Sequence, residues 1–145
     1  MKIKYIMDEK YTEPEIHLCV KEKNREAAEV FEAIEKLFEL RIAGYQGQGS
    51  ELLSPTEIVR IYSENKKVFV RTADECYEVK ERLYVLEEQL KEQRFVRISN
   101  SEIVNVPQIE RLDMSYAGTI QMQMRNGDVT YVSRRFVRKI KEVLC

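Results

Sequence analysis

The 145-residue chain contains no tryptophan, one histidine, three cysteines and three prolines. A single histidine and an odd number of cysteines, with no Cys-x-x-Cys pair, argue against a disulfide framework and against a zinc site. No apolar run approaches the roughly 18 to 20 residues that a membrane-spanning helix needs, and no signal peptide is recognisable. We therefore expect a cytoplasmic protein that binds neither a metal nor a cofactor, with Cys19, Cys76 and Cys145 as reduced thiols.

The residue types that catalysis needs are equally scarce. An enzyme of a common class places a nucleophile beside a base, or carries a metal cluster or a glycine-rich phosphate loop. His17 is remote from any serine-containing turn, and the sequence has no Gly-x-x-x-x-Gly-Lys motif. We predict that the chain is not an enzyme and that Cys76, within a predicted strand, is a small buried apolar residue.

Charge is plentiful but unevenly distributed. Charged residues make up 34% of the chain, and the net charge is −1. Residues 1–50 carry eight Lys and Arg against ten Asp and Glu, a net charge of −2. Residues 125–141 carry six basic residues against one Asp, a net charge of +5. The basic segment predicts an anionic partner at one place on the molecule, and a solvated helix face is the alternative.

The first third of the chain has the pattern of a small appendage. Apolar residues alternate over Met1–Met7 and again over Glu15–Val20, as in two short strands. From Arg25 to Arg41 they recur at helical spacing after Asn24, a favourable N-cap. With a glycine-rich turn at Tyr45–Ser50, residues 1–51 are predicted to form a β-β-α-β appendage. Its helix would bury one face on its own strands or on a second copy of the chain.

Residues 52–145 are predicted to form a mostly antiparallel α+β domain, a meander of strands with short helices. Asn126-Gly127 is a strong hairpin signal. Ser133 is a favourable N-cap for a final helix over Arg134–Leu144, and Leu83, Leu86 and Leu90 predict a short helix over Arg82–Lys91. Alternating apolar residues predict strands at Ile58–Tyr62, Lys67–Thr72, Cys76–Val79, Ile109–Asp113, Ile120–Met124 and Val129–Val132.

The stretch Arg94–Val106 is the most informative part of this domain. It begins as a strand, turns at Ser99-Asn100-Ser101, whose short polar side chains favour turns, and resumes as an apolar run that ends before Pro107. An amide held at the tip of a rigid turn is well placed to meet a flat polar edge such as a base. The alternative is that Asn100 and Asn105 each stabilise their own turn.

From about Leu53 to Leu144 the chain resembles the LytTR family of DNA-binding domains. The resemblance rests on the order and spacing of several short segments over some ninety residues. It implies a mostly antiparallel β fold whose loops, rather than a recognition helix, enter successive grooves of duplex DNA. The segments are Pro55-Thr56-Glu57-Ile58, the Leu83/Leu86/Leu90 helix with Tyr84, Phe95-Val96-Arg97-Ile98, Ser101-Glu102-Ile103-Val104-Asn105, Asn126-Gly127 and Tyr131-Val132-Ser133-Arg134-Arg135-Phe136.

The resemblance implies that three turns carry the DNA contacts. The residues concerned are Asn65, Lys66 and Lys67 in the first turn, Arg97, Ser99 and Asn100 around the second, and Ser133, Arg134 and Arg135 at the start of the last helix.

Residue chemistry suggests a different role for each group. Arg pairs bidentately with guanine and Asn with adenine, so Arg135 and Asn100 are candidates for base contacts. Arg134, Lys66 and Lys67 suit phosphate contacts, and Ser133 could both cap the helix and bind a phosphate.

Several alternatives remain open for these residues. Arg135 could form an ion pair with a nearby Glu, Lys66 and Lys67 could be merely solvated, and Arg97 could serve packing. The family often has His where this chain has Ser99, which leaves the preferred base sequence open.

These features predict a sequence-specific transcription regulator that binds double-stranded DNA as a homodimer on repeated half-sites. The alternative is a protein-interaction module for which DNA is incidental. Many members of the family carry a phosphoacceptor receiver domain, for which residues 1–50 are too short, so we expect control without phosphorylation. The input is then a membrane-protein partner or a small ligand, and the sequence does not choose between them.

Overall fold

The computed structural model describes residues 1–115 and 117–144, so the predicted free thiol of Cys145 lies outside the described residues. The chain divides into two compact units, Met1–Phe38 and Glu39–Cys145. Within the described residues, no helix combines the length and the apolar character needed to cross a bilayer.

The first unit contains one regular element, helix α1, Arg25–Glu39. The N-cap prediction is confirmed, because Asn24 Oδ1 accepts a hydrogen bond from the Ala27 N–H at 2.8 Å. The prediction of strands at Met1–Met7 and Glu15–Val20 is wrong, since both segments are irregular. Isolated pairs of short strands are marginally stable at best, and the alternating apolar residues here have no core to face: Ile3 is 97% exposed.

The second unit begins with a hairpin that the sequence pattern placed in the appendage. Its strands are β1, Ile42–Gln46, and β2, Gly49–Leu53. They pair in antiparallel register, and Tyr45 of β1 also pairs with Glu78. The hairpin is therefore the end of a larger sheet, and the predicted boundary between residues 51 and 52 falls inside β2.

The larger sheet has seven antiparallel strands within the described residues, in the order β2-β1-β5-β4-β3-β7-β6. A second, three-stranded antiparallel sheet has the order β10-β9-β8. These two sheets and the helices confirm the predicted class, a mostly antiparallel α+β fold. The remaining elements are β3 (Arg60–Glu64), β4 (Lys67–Arg71), β5 (Cys76–Val79), α2 (Leu83–Gln89), β6 (Phe95–Ser99), β7 (Glu102–Asn105), β8 (Ile109–Asp113), β9 (Ile120–Met124), β10 (Val129–Val132) and α3 (Arg134–Leu144).

The larger sheet separates two hydrophobic cores. On one face Ile103 of β7 joins a cluster with Leu86 of α2, and on the other face Val104 joins a cluster with Met122 of β9 and Ile140 of α3. All four residues of β7 are buried, because both faces of this strand are covered. The second core packs α3 against β6 and β10 and so fixes where that helix begins.

A network of charges joins the two sheets. The Asp128 carboxylate, in the turn between β9 and β10, accepts hydrogen bonds from Arg60 Nε at 2.8 Å and from Arg71 Nε at 3.0 Å. Arg60 Nη1 also donates to Glu102 Oε1 at 3.0 Å. The hydrogen bonds from Arg71, and then those from Arg60, hold the pKa of Asp128 well below its usual range. Burial raises the pKa of Glu102, while Thr130 and Arg60 oppose part of that rise.

Candidate nucleic-acid interface

The turn between β3 and β4 consists of Asn65 and Lys66. Both have positive φ, 50° and 64°, as a two-residue turn of type I′ requires. Asn adopts this left-handed conformation more readily than most residues, which suits it to the turn. Both side chains are exposed, and Lys67, the first residue of β4, has its Nζ 3.9 Å from Glu78 Oε2. Since that pair is mostly exposed, it holds Lys67 only weakly.

The turn between β6 and β7 consists of Asn100 and Ser101. Ser101 donates its N–H to Ser99 Oγ at 3.2 Å, and the two hydroxyl groups lie 3.3 Å apart. The Asn100 side chain is exposed and makes no hydrogen bond within the described part of the chain. Its amide therefore does not stabilise its own turn. Asn105 does have a structural role, because it is buried and donates Nδ2 to the Ile58 carbonyl at 2.8 Å.

Helix α3 begins at Arg134, directly after Ser133, as predicted. Arg134 and Arg135 are both exposed. The Arg134 side chain lies against Gly118, where a Cβ would stand 3.1 Å from Arg134 Nε, so a glycine with φ of +72° leaves room for the guanidinium. Among the described residues no carboxylate forms an ion pair with Arg135, whose guanidinium carbon is 5.9 Å from the centroid of the Phe136 ring. Its charge is available to a partner.

Two main-chain hydrogen bonds bring the three turns together. Ser63, near the end of β3, donates its N–H to the carbonyl of Ser101 at 2.8 Å. Ser133 donates its N–H to the carbonyl of Ile98 at 2.9 Å. The Asn65-Lys66 turn, the Asn100 turn and the start of α3 therefore lie side by side at one end of the larger sheet. We call this end the three-turn edge.

The turn between β9 and β10 lies at the other end of the sheet. Asn126 Nδ2 donates to the carbonyl of Thr72 at 3.2 Å, and Thr72 follows the end of β4 that is remote from Lys66. Arg125 also lies there and donates Nε to the carbonyl of Pro107 at 3.0 Å.

Arg97 differs from the other predicted contact residues. Its side chain is only 18% exposed. Nε donates to the carbonyl of Ser99 at 2.8 Å and Nη2 to the carbonyl of Asn100 at 2.6 Å. Nη1 is 3.5 Å from Glu87 Oε1 of α2. The guanidinium thus lies against the main chain of the turn and stabilises it through these hydrogen bonds.

Sequence reasoning missed one further basic residue near this edge. Val79 of β5 pairs with Val68 of β4, so Lys80 follows at the end of the sheet that carries Lys66. Its Nζ lies 4.5 Å from the centroid of the Tyr45 ring, and the side chain is exposed. Only the strand register reveals this position, because Lys80 is remote in sequence from the three turns.

The basic residues farther along α3 are exposed. Arg138 Nε lies 3.6 Å from Glu142 Oε1, and the Arg138 side chain is 93% exposed. Such an exposed pair contributes little energy and leaves the arginine accessible. This part of α3 therefore matches the predicted solvated face, with charge that adds a diffuse attraction for anions.

Comparison with known proteins identifies the family. A family model described as the LytTr DNA-binding domain matches residues 48–145. This chain belongs to the LytTr DNA-binding domain family. The resemblance inferred from the sequence is thereby confirmed, and the class is one of DNA-binding domains rather than of enzymes.

Sequence relatives of the LytTr chain match nearly its whole length. Proteins named as uncharacterized HTH-type transcriptional regulators from Staphylococcus aureus strains MSSA476 and MRSA252 are each 33% identical over 145 residues, which is 99% of this chain and 98% of the relative. The solved LytTr DNA-binding domain of a Bacillus cereus protein has a TM-score of 0.69 and 22% identity. It covers 72% of this chain and 95% of that chain, and it confirms the fold.

The described part of this LytTr chain lacks the helix-turn-helix motif for which its relatives are named. A helix-turn-helix needs two successive helices joined by a short turn. Within residues 1–115 and 117–144, α2 lies between β5 and β6, and α3 follows β10. Neither of these helices directly precedes or follows another helix, so the two do not form a helix-turn-helix.

Proposed function

We propose that this LytTr protein is a sequence-specific transcription regulator that reads the major groove of duplex DNA with the three-turn edge. The observation that carries the proposal is the pair of main-chain hydrogen bonds from Ser63 and Ser133, which join the three turns into one edge. That arrangement places the amides of Asn65 and Asn100, the guanidinium groups of Arg134 and Arg135 and the loop lysines at the same end of the sheet.

Two side chains of this edge suit base recognition. Arg135 is exposed in the first turn of α3 and has no carboxylate partner among the described residues, so its planar fork can meet the two acceptors of guanine. Asn100 is exposed with its amide unbonded in the described residues, so it can pair with adenine. Each good bidentate pair discriminates by about 1–3 kcal/mol.

The remaining polar residues suit the DNA backbone. Lys66, Lys67 and Arg134 supply positive charge, which sets the register on the duplex without reading its sequence. Asn65 and Ser133 can donate to phosphate oxygens beside them, and the first N–H groups of α3 favour an anion. Ser99 shares its hydroxyl with Ser101, which leaves Asn100 as the base-reading group of that turn.

Selection from a random duplex library tests the proposal. The full chain should enrich a defined sequence, and promoter fragments from its own operon are the first natural candidates. Its affinity for the selected duplex should exceed that for a scrambled duplex and fall by orders of magnitude from low to moderate salt. Failure to enrich any sequence, or an affinity that salt barely changes, would instead support a protein-interaction module.

Lys66 offers a specific prediction about the backbone contacts. Lys66→Gln should weaken binding to selected and scrambled duplexes by the same factor and reduce the slope of log K against log salt by about 0.9. The matched control is Lys66→Arg, which keeps the charge and should keep the slope. An unchanged slope in Lys66→Gln would show that this lysine contacts no phosphate.

We further propose that the protein acts as a homodimer formed through α1, without control by receiver phosphorylation. The helix has an apolar stripe that remains largely uncovered in the single chain: Phe31 is 52% exposed and Leu37 40%. A second copy offers the same stripe by two-fold symmetry, and a dimer would place two three-turn edges on repeated half-sites. The alternative occupant of this apolar stripe is a membrane-protein partner or a small ligand.

Light scattering after size-exclusion chromatography tests the dimer. At micromolar concentration the wild-type chain should have twice the chain mass of 17.2 kDa. Phe31→Glu should have the mass of one chain, because a charge in the stripe opposes its burial. The control Glu32→Gln changes the neighbouring exposed residue and should stay dimeric. A monomeric wild-type chain would exclude the dimer at that concentration and favour the other occupants.

A further inference from the structure

Arg97 is the charged side chain that bonds the main chain of the Asn100 turn. Two of its guanidinium nitrogens donate to successive main-chain carbonyls, those of Ser99 and Asn100, at 2.8 and 2.6 Å. Bonds from an ionised donor are shorter and stronger than those between neutral groups. The guanidinium plane fixes the directions of these donors, so the two carbonyls are held in one relative orientation.

The local register of β6 explains why the turn needs such support. The pairing of β6 with β7 shifts between Arg97 and Ser99, so the ladder is interrupted just before the turn. An irregularity of this kind redirects the chain and leaves main-chain groups without ladder partners. At the same place the Ile98 carbonyl accepts the N–H of Ser133, and the Ile98 side chain is fully buried. Arg97 therefore supports the point where the Asn100 turn meets the start of α3.

We propose that Arg97 is a positioning residue for base recognition and does not itself contact DNA. Its guanidinium closes the turn that carries Asn100 and sets the amide in a fixed place relative to Arg135. The inference rests on the proposed function and adds one element to it: the base-reading turn is ordered before DNA arrives. A turn already ordered loses less conformational freedom on binding, which favours affinity for the correct sequence.

Binding measurements distinguish positioning from contact. Arg97→Gln should lower the affinity for the duplex selected by the wild-type chain on the order of tenfold. The affinity for a scrambled duplex and the slope of log K against log salt should stay unchanged. A phosphate contact predicts the opposite pattern, with equal losses on both duplexes and a slope lower by about 0.9, and that result would overturn the proposal.

Arg97→Lys provides the second variant, since it keeps the charge and most of the stem. An ammonium group can replace a guanidinium at a phosphate but cannot reproduce two donors in a fixed plane. If Arg97 positions the turn, the lysine variant should retain most of the defect on the selected duplex. Wild-type affinity in Arg97→Lys would overturn the positioning role.

Arg125→Gln is the matched control. Arg125 also donates Nε to a main-chain carbonyl, that of Pro107 at 3.0 Å, and its loss changes the net charge by the same amount. Because it lies at the end of the sheet opposite the three-turn edge, its replacement should leave the preference for the selected duplex unchanged. An equal defect in Arg125→Gln would mean that charge or general stability, rather than the turn, explains the Arg97 result.

The free protein gives an independent readout. In ¹H–¹⁵N spectra, the Asn100 side-chain amide is assigned by its loss in Asn100→Asp, and the Ser101 amide reports the bond to Ser99 Oγ. Arg97→Gln should broaden or shift both signals and speed exchange of the Ser101 amide, while the signals of Asn126 and Gly127 stay fixed. Unchanged signals of the turn would overturn the inference, as would an altered turn with unchanged preference for the selected duplex. A wild-type chain that selects no duplex would instead refute the proposed function.

Discussion

Replacing Arg135 by alanine is expected to reduce affinity for the selected duplex by about 1–3 kcal/mol, or roughly 5- to 150-fold. The arginine is exposed in the first turn of α3, and no described carboxylate competes for its guanidinium. The loss should disappear on a duplex in which the guanine that Arg135 reads has been replaced, because the contact is already absent there. Titrations of wild-type and variant chains against the selected duplex and its single-base variants provide the measurement.

Arg138→Ala is the control for the Arg135 variant. Arg138 lies on the same helix, has the same charge and is 93% exposed. Its replacement should cause a small loss that is equal on all duplexes, as expected of a diffuse attraction. If Arg135→Ala also weakened selected and scrambled duplexes equally, Arg135 would be a backbone contact and base reading would have to come from elsewhere.

Replacing Asp128 by asparagine is expected to lower the free energy of unfolding by about 3 kcal/mol. The carboxylate is 17% exposed and pairs with Arg60 and Arg71, which are 18% and 23% exposed. Asparagine nearly preserves the shape but leaves Arg71 without a counter-charge and Arg60 with Glu102 alone. Removing one partner of a largely buried pair costs more than the pair contributes. Urea unfolding of the two chains provides the measurement.

Asp113→Asn is the matched control for this substitution. Asp113 accepts hydrogen bonds from the N–H and hydroxyl of Ser115, so its partners are local and it carries no ion pair in the described residues. Its replacement should change stability much less than Asp128→Asn does. Similar losses in both variants would contradict a special role for the charge network between the sheets.

The same charge network should affect how the free energy of unfolding depends on pH. Folding lowers the pKa of Asp128. Its ionised carboxylate therefore stabilises the folded chain at pH values above about 4, the ordinary pKa of Asp, and this stabilisation is lost as the pH falls further. Glu102 has the opposite effect on the pH dependence of stability, because burial raises its pKa and folding then favours its protonated form. Wild-type stability should therefore fall on acidification from about pH 5 to about pH 3 more steeply than that of Asp128→Asn. Parallel curves for the two chains would contradict this account.

The second unit could be predicted because its local patterns agree with its tertiary environment. The alternation at Ile120–Met124, the Asn126-Gly127 turn and the start of α3 at Arg134 are local structures that the sequence specifies and the packing then uses. The order of the segments supplied the family and, with it, the three turns. At these elements local chemistry and tertiary packing favour the same conformation.

The first unit shows what alternation alone cannot establish. Ile3, Tyr5 and Met7 alternate as in a strand, yet all three are exposed and the segment is irregular. A strand also needs a partner for its main-chain groups and a core for its apolar face. The alternation of apolar residues is present, but it does not reveal whether a partner strand or a core lies beside them.

Two groups of side chains escaped prediction because their partners are remote or are main-chain atoms. Asp128 lies 68 residues from Arg60 and 57 from Arg71, so only the packing of the two sheets brings them together. Arg97 was predicted either to contact DNA or to serve packing, but the sequence did not reveal that its donors face the carbonyls of its own turn. Because every residue has a main-chain carbonyl, the sequence does not show which carbonyls accept hydrogen bonds from a side chain.

Mapping of amide signals on addition of the selected duplex tests the central claim most directly. With the full chain labelled with ¹⁵N, the account predicts that signals of Asn65, Asn100 and Ser133 shift together and saturate at one stoichiometry. Signals of Asn126 and Gly127, at the other end of the sheet, should remain in place. Shifts centred on Asn126 and Gly127, with the three turns unchanged, would contradict the claim that these turns form a single DNA-binding edge.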